Sequence, residues 1–230
     1  MNRIDDLHQF YDLLDMLERK LGGKQTLRGC HGRMDWPNRG LYFFFEPGEL
    51  RSESGVGHRV VRVGTHAVSK GSKSKLWGRL AQHRGTATGI GNHRGSVFRL
   101  LVGAALSSKC AELAIPSWGH GQSAPRPIRE TESALEREVS AYIGSMPFLW
   151  LSANDDPSPN SVRAFAERNA IALLSNWSKA EPLDTASHQW LGRHCSNKKV
   201  ARSGLWNSRC VDEQYEPAFL EVLARKVDAL

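Results

Sequence analysis

Gly40-Leu41-Tyr42-Phe43-Phe44-Phe45 and, after the turn residues Pro47-Gly48 and Gly55–Gly57, a segment ending Val61-Arg62-Val63-Gly64-Thr65 decide the fold of this 230-residue chain. Aromatic and β-branched residues of this density favour strands, and the glycine-rich stretch between them turns the chain back. The pair reads as an antiparallel hairpin over roughly 40–46 and 58–65 with a long loop. A third strand is expected at 147–153, where Pro147-Phe148-Leu149-Trp150-Leu151 runs into Asn154-Asp155-Asp156-Pro157.

Helices surround these strands. Residues 3–21 carry Ile4, Leu7, Phe10, Tyr11, Leu14, Leu17 and Leu21 on one side, with Asp5 and Asp6 in the first turn and Gly22-Gly23 at the stop. Further helices are expected at about 75–84, 95–108, 131–144, 160–176 and 216–230, the last with Pro217 at its start. Residues 113–130, rich in proline and glycine, read as an irregular insertion. The fold class is therefore α+β, a small central antiparallel sheet of about three strands flanked by helices. Residues 1–39 are expected to form an N-terminal helix and connector, 40–177 the main domain with an insertion near 107–146, and 178–230 a C-terminal extension.

Hydrophobic content of 40% and charged content of 24% are ordinary for a globular protein, while a formal charge of +7 favours an anionic partner. No apolar run reaches membrane-span length and the N-terminus is polar, so no membrane partner and a cytoplasmic location are expected. The four cysteines occur singly. Cys30-His31, His194-Cys195 and Cys210 lack the spacing of a zinc knuckle and read as reduced thiols.

Phosphodiester hydrolysis requires an in-line nucleophile, neutralisation of developing charge and help for the leaving oxygen. Arg79 offers a planar, permanently charged fork that matches phosphate oxygens. His83 lies one helical turn on and faces the same way, as a base or a donor. Tyr42 presents a phenol on a rigid strand. Glu167, flanked by Ala164, Ala166 and Ala170, suits a hard divalent cation. Each has a plainer reading: Tyr42 as core, Arg79 and His83 as a solvated face, Glu167 as the partner of Arg163 one turn earlier. Their joint order along the chain favours a nuclease.

In that order the chain resembles the GIY-YIG nuclease superfamily. Gly40-Leu41-Tyr42 looks like the first signature tripeptide, and Arg62-Val63-Gly64 stands where the second, Tyr-Ile-Gly, is expected. Leu76-x-x-Arg79-Leu80-x-x-His83 is similar to the family's arginine–histidine helix, and Glu167-Arg168-Asn169-Ala170-Ile171 to its metal-binding helix. The resemblance spans about 40–177 and implies one-metal cleavage of DNA, with Mg²⁺ or Mn²⁺ as cofactor. It implies Tyr42 as base or water positioner assisted by His83, Arg79 on the scissile phosphate, Glu167 on the metal, and Asn207 (or, second, Asn176) as a supporting residue.

One position departs from the family. Arg62 replaces the second tyrosine, and a guanidinium stays protonated and cannot act as a base. It can bind phosphate, and His58, His66 or Lys75 stand near enough in sequence to take over the missing role. Glu138 is the rival metal ligand, but its helix precedes the third strand instead of following it. Nucleic-acid contacts are expected from Arg62, from Lys70, Lys73 and Lys75 in a glycine/serine setting, and from His93 and Arg94 ahead of a helix. A tail cluster from Arg193 to Arg202 is a further basic surface, and exposed tryptophans would stack on bases. The leading expectation is a metal-dependent DNA endonuclease, with a homodimer compatible. A non-cutting nucleic-acid binder on the same scaffold is the alternative, and a regulatory protein with an acidic partner a weaker third.

Overall fold

In a computed structural model that describes residues 2–230, one antiparallel sheet separates two hydrophobic cores. The order is β1–β4–β2–β3, with β1 at Gln25–Thr26, β2 at Gly40–Leu50, β3 at His58–Gly64 and β4 at Pro147–Ser152. Leu41, Phe43 and Phe45 of β2 point to one face and Tyr42 and Phe44 to the other. Both faces are covered, so the strand reads as a continuous apolar run in place of an alternating one. The two-residue β1, paired through Gln25 with Phe148 and Thr26 with Pro147, is the strand beyond the three expected. Two residues are too few to carry a period.

The first core lies under α1 (Arg3–Leu21), α6 (Val162–Leu174) and α8 (Phe219–Asp228). Asn2 caps α1 by accepting from the Asp5 N–H at 3.0 Å, and Gly22 ends it in the left-handed region at φ 73°. The second core lies under α2 (Leu76–Arg84), α3 (Val97–Lys109) and α5 (Ser133–Ser145), joined by Trp190 and Trp206. Two short helices complete the chain: α4 (Arg126–Thr131) closes the otherwise irregular insertion, and α7 (Lys198–Ser203) lies in the C-terminal segment. Residues from both the N- and C-terminal segments thus enter the cores that cover the sheet.

Strand β3 is an edge, and an open edge invites pairing with another chain. Here the C-terminal segment covers it. The Trp206 N–H donates to the Val61 carbonyl at 2.7 Å, and the Asn207 side chain takes both polar groups of Val63, accepting at 3.2 Å and donating at 2.9 Å. Deeper in the same segment, the Trp190 and Trp206 indole N–H groups both donate to Glu46 Oε2 at 3.1 Å, and the Tyr142 hydroxyl donates to Oε1. Burial raises the Glu46 carboxyl above its ordinary range, and these three donors oppose that rise.

Candidate active site

Ladder register places the first reactive side chain. Tyr42 pairs with Gly64 on β3 and with Trp150 on β4. A Cβ at Gly64 would overlap the Tyr42 ring, so glycine at the end of β3 is what lets the phenol lie across the strand. The Tyr42 hydroxyl lies 2.8 Å from Nε2 of His83 on α2, and His83 Nδ1 lies 2.8 Å from the Ser96 hydroxyl. Burial holds His83 well below the usual histidine value, helped by the charges of Arg79, Arg62 and Arg99. Its ring is therefore neutral near neutral pH, with one N–H and one free lone pair.

Arg62 pairs with Phe44 across the ladder, on the same sheet face as Tyr42. Its guanidinium lies 4.6 Å from the Phe98 ring centroid and donates to the Trp206 carbonyl, while Nε has no partner. Burial lowers its pKa, and the neighbouring Tyr42 and Glu167 raise it. Arg79, one turn before His83, is half-buried and donates from Nη1 to the Gly95 carbonyl at 3.1 Å and to Gln82 Oε1 at 3.0 Å.

Glu167 comes from α6 and meets the end of β3. Its Oε1 accepts the Thr65 N–H at 2.9 Å, directly after Gly64, and Thr65 Oγ1 donates to the Gly40 carbonyl at 2.8 Å. Burial raises the Glu167 carboxyl, against the Thr65 N–H and the charges of Arg62, Arg79 and Arg163. Pairing with Arg163 is not what occupies it. Arg163 instead binds Asp155 at 2.5 Å and the His66 carbonyl at 2.9 Å. One carboxylate with an oxygen left over fits a single hard divalent cation completed by water and phosphate, and no cluster of three acidic, histidine or cysteine ligands occurs among the described residues. Glu138 is exposed on α5, away from this group.

The remaining expected residues divide. Lys70, Lys73 and Lys75 are exposed with no ion pair among the described residues, and Lys73 and Lys75 border a polar cleft of about 290 Å³ with Asn38, Arg39 and Asn154. Between Ser54 and Ala111 the chain has no acidic residue, and the exposed Asp156 meets the cleft only through Arg39, at 3.9 Å. His93 and Arg94, expected on phosphate, point inward: His93 Nδ1 lies 3.0 Å from Glu136, and Arg94 binds both oxygens of Glu132 at 2.6 and 2.8 Å. Arg62 is likewise turned into the protein, with 7% of its surface exposed. Asn207 sits against β3 by its two bonds to Val63, and Asn176 is spent on Leu183 and Arg3. None of the seven tryptophans is exposed.

Of the stand-ins for the missing tyrosine, His58 lies at the opposite end of β3, opposite Leu50. His66 lies beside Thr65, its Nε2 3.3 Å from the Asn38 carbonyl and its Nδ1 buried without a partner. Burial lowers it to about 4; the Asn38 carbonyl opposes this and Arg163, Arg79 and Arg39 reinforce it. Three contributors escaped the sequence reading. Thr65 and Ser96 are ordinary turn and cap residues until the fold brings them beside Glu167 and His83, and Arg163 reads as a helix surface residue.

A family model for the GIY-YIG domain matches residues 1–230. No curated protein and no solved structure matches the chain. With the small antiparallel sheet, the Tyr42–Gly64 register and the arginine–histidine helix in place, this chain belongs to the GIY-YIG domain family.

Proposed function

We propose that this protein is a metal-dependent endonuclease that hydrolyses DNA phosphodiester bonds with Tyr42, Arg79, His83 and Glu167. The observation that carries this reading is the convergence of Tyr42, His83, Arg62, Arg79 and Glu167 from two strands and two helices around the Gly64 end of β3. Arg79 and Glu167 are the half-open members and meet the phosphate first. Arg79 neutralises its charge and holds it in line. Glu167 would hold Mg²⁺ or Mn²⁺, which when bound acts as a Lewis acid on the phosphate oxygens. Tyr42 orients the attacking water and takes its proton while handing its own hydroxyl proton to the free lone pair of the neutral His83 ring. Arg62 adds fixed positive charge behind the phenol. Asn207 supports the site at one remove by holding β3 in place. The exposed lysines 70, 73 and 75 steer and track the DNA backbone.

A specific observation favours a second reading, a nucleic-acid binder that does not cut: arginine occupies the place of the second signature tyrosine. Plasmid, single-stranded DNA and RNA incubated with Mg²⁺, Mn²⁺ or EDTA separate the two. Metal-dependent cleavage supports the enzyme. Salt-sensitive binding of all three without cleavage, by folded protein, supports the binder.

A further inference from the structure

Helix α6 meets the end of β3 at two points one helical turn apart. Glu167 Oε1 accepts the Thr65 N–H at 2.9 Å, and Arg163 donates from Nη1 to the His66 carbonyl at 2.9 Å and from Nη2 to the Ala67 carbonyl at 3.5 Å. The first contact holds the candidate metal ligand. The second holds the turn that follows β3. Arg163 is fully buried, and its charge is matched by Asp155, whose Oδ1 lies 2.5 Å from Nε and whose Oδ2 accepts the Arg163 backbone N–H at 3.3 Å.

The turn is held in a conformation that its sequence disfavours. Ala67 is buried and has φ 54°, in the left-handed region. A Cβ is unfavourable there, whereas glycine enters freely. Such backbone persists only where the surrounding contacts over-determine it. The Thr65 hydroxyl on the Gly40 carbonyl and the His66 ring beside the Asn38 carbonyl anchor the chain before Ala67. Beyond them the anchor is Arg163, and among the described residues no other hydrogen bond reaches the His66 or Ala67 carbonyl.

We propose that Arg163 is a positioning residue for the reaction: by clamping the Thr65–Ala67 turn against the start of α6, it fixes how Glu167 meets the end of β3, with one carboxylate oxygen on the Thr65 N–H and the other free for a cation. The cation half of this proposal rests on the nuclease reading above; the clamping of Glu167 through the turn does not. A carboxylate tied by one hydrogen bond can pivot about it. A second tie, one turn back on the same helix, stops helix and turn from sliding past each other. Arg163 donates to no atom of Glu167, so it acts through the turn. Groups that orient a metal ligand from behind govern metal affinity nearly as much as the ligand does.

Arg163→Lys keeps the buried charge and can meet one carbonyl, but not two carbonyls and Asp155 together, so it tests geometry and not electrostatics. Ala67→Gly makes the left-handed turn free of strain without Arg163. Amide hydrogen exchange at Thr65, followed by ¹⁵N NMR with Glu167→Ala giving the rate of an unheld amide, reads the contact without metal or turnover. The expected result is a protected Thr65 amide in the wild type, exchange roughly tenfold faster in Arg163→Lys, and recovery of protection in Arg163→Lys/Ala67→Gly. In plasmid cleavage, the Mn²⁺ concentration for half-maximal rate should rise about tenfold in Arg163→Lys, with KM for DNA unchanged, and fall back in the double variant. Ala67→Gly alone should raise the melting temperature. Asp155→Asn, which loosens the clamp while leaving Arg163 in place, should move exchange and metal dependence the same way by less, and it carries the test if Arg163→Lys does not fold. Wild-type Thr65 exchange or wild-type metal dependence in the folded variant, no recovery in the double variant, or a lowered melting temperature in Ala67→Gly overturns the proposal. A wild type that never cuts, with Thr65 exchange responding as expected, retires the nuclease reading and the cation half and leaves Arg163 clamping Glu167 through the turn.

Discussion

Gly64 lies directly across the β2–β3 ladder from Tyr42, and the Tyr42 ring fills the space a Cβ at Gly64 would need. This relationship ties a strand-end glycine to the orientation of a phenol in the site. Gly64→Ala should push the ring off His83, lowering cleavage at least tenfold and stability by about 1–3 kcal/mol, the usual consequence of overpacking a filled interior. Cleavage rate and urea denaturation check it; a variant with wild-type activity would show that the ring's placement is not needed.

Removing only the Tyr42 hydroxyl separates chemistry from packing. Tyr42→Phe keeps the ring against Phe44 and His83. It should lower kcat by on the order of 10²-fold, within the range for proton-transfer groups, with little change in KM. Tyr42→Ala should in addition lose about 3–5 kcal/mol of stability, as for other large buried aromatics. Calorimetry alongside steady-state kinetics distinguishes the two effects.

His66 makes the protein sensitive to acid. Its folded value near 4 lies below the ordinary histidine value of 6.5, so the unfolded chain binds more protons between those values. Stability from this group is present above about pH 6.5 and lost as pH falls toward about 4. Between pH 6.5 and 5 the loss from His66 should be about 1–2 kcal/mol. Buried His83 adds a loss of the same sign. Urea titrations at the two pH values should show the drop, and His66→Gln should reduce it; an unchanged slope would contradict the burial argument.

Asn207 covers the β3 edge with two hydrogen bonds to Val63. Asn207→Ala should cost about 1–3 kcal/mol by leaving buried backbone groups unmatched, and should raise self-association through the opened edge. Light scattering at increasing protein concentration, with thermal melts, tests both effects.

Exposed lysines 70, 73 and 75 should govern affinity and not chemistry. Their joint replacement by alanine should weaken DNA binding and reduce the slope of log affinity against log salt by about 2–3. Titration over a range of salt concentrations measures the slope, and kcat at saturating DNA should stay near wild type.

Much of this arrangement was legible from the chain. The Phe43–Phe45 run, the Gly64 strand end and the Leu76–His83 helix fixed the sheet and α2, because long periodic or strongly apolar segments carry their own signal. Tyr42 and His83, which the resemblance puts in one site, lie 2.8 Å apart. What stayed hidden depended on contacts distant in sequence. Arg94 looks like a surface cation until Glu132, 38 residues on, takes both its donors. Thr65, whose N–H meets Glu167, is likewise 102 residues from its partner. The two-residue β1 exists only because β4 offers it a partner.

The most direct test of the central claim is cleavage of supercoiled plasmid by wild-type protein, Arg79→Ala and Glu167→Ala, each with Mg²⁺, Mn²⁺ or EDTA. The account predicts nicking by the wild type that needs the metal and falls by 10²-fold or more in both variants, as for loss of groups that stabilise transition-state charge. Equal metal-dependent cleavage by Glu167→Ala, or no cleavage by a folded wild type that binds the plasmid, would contradict it.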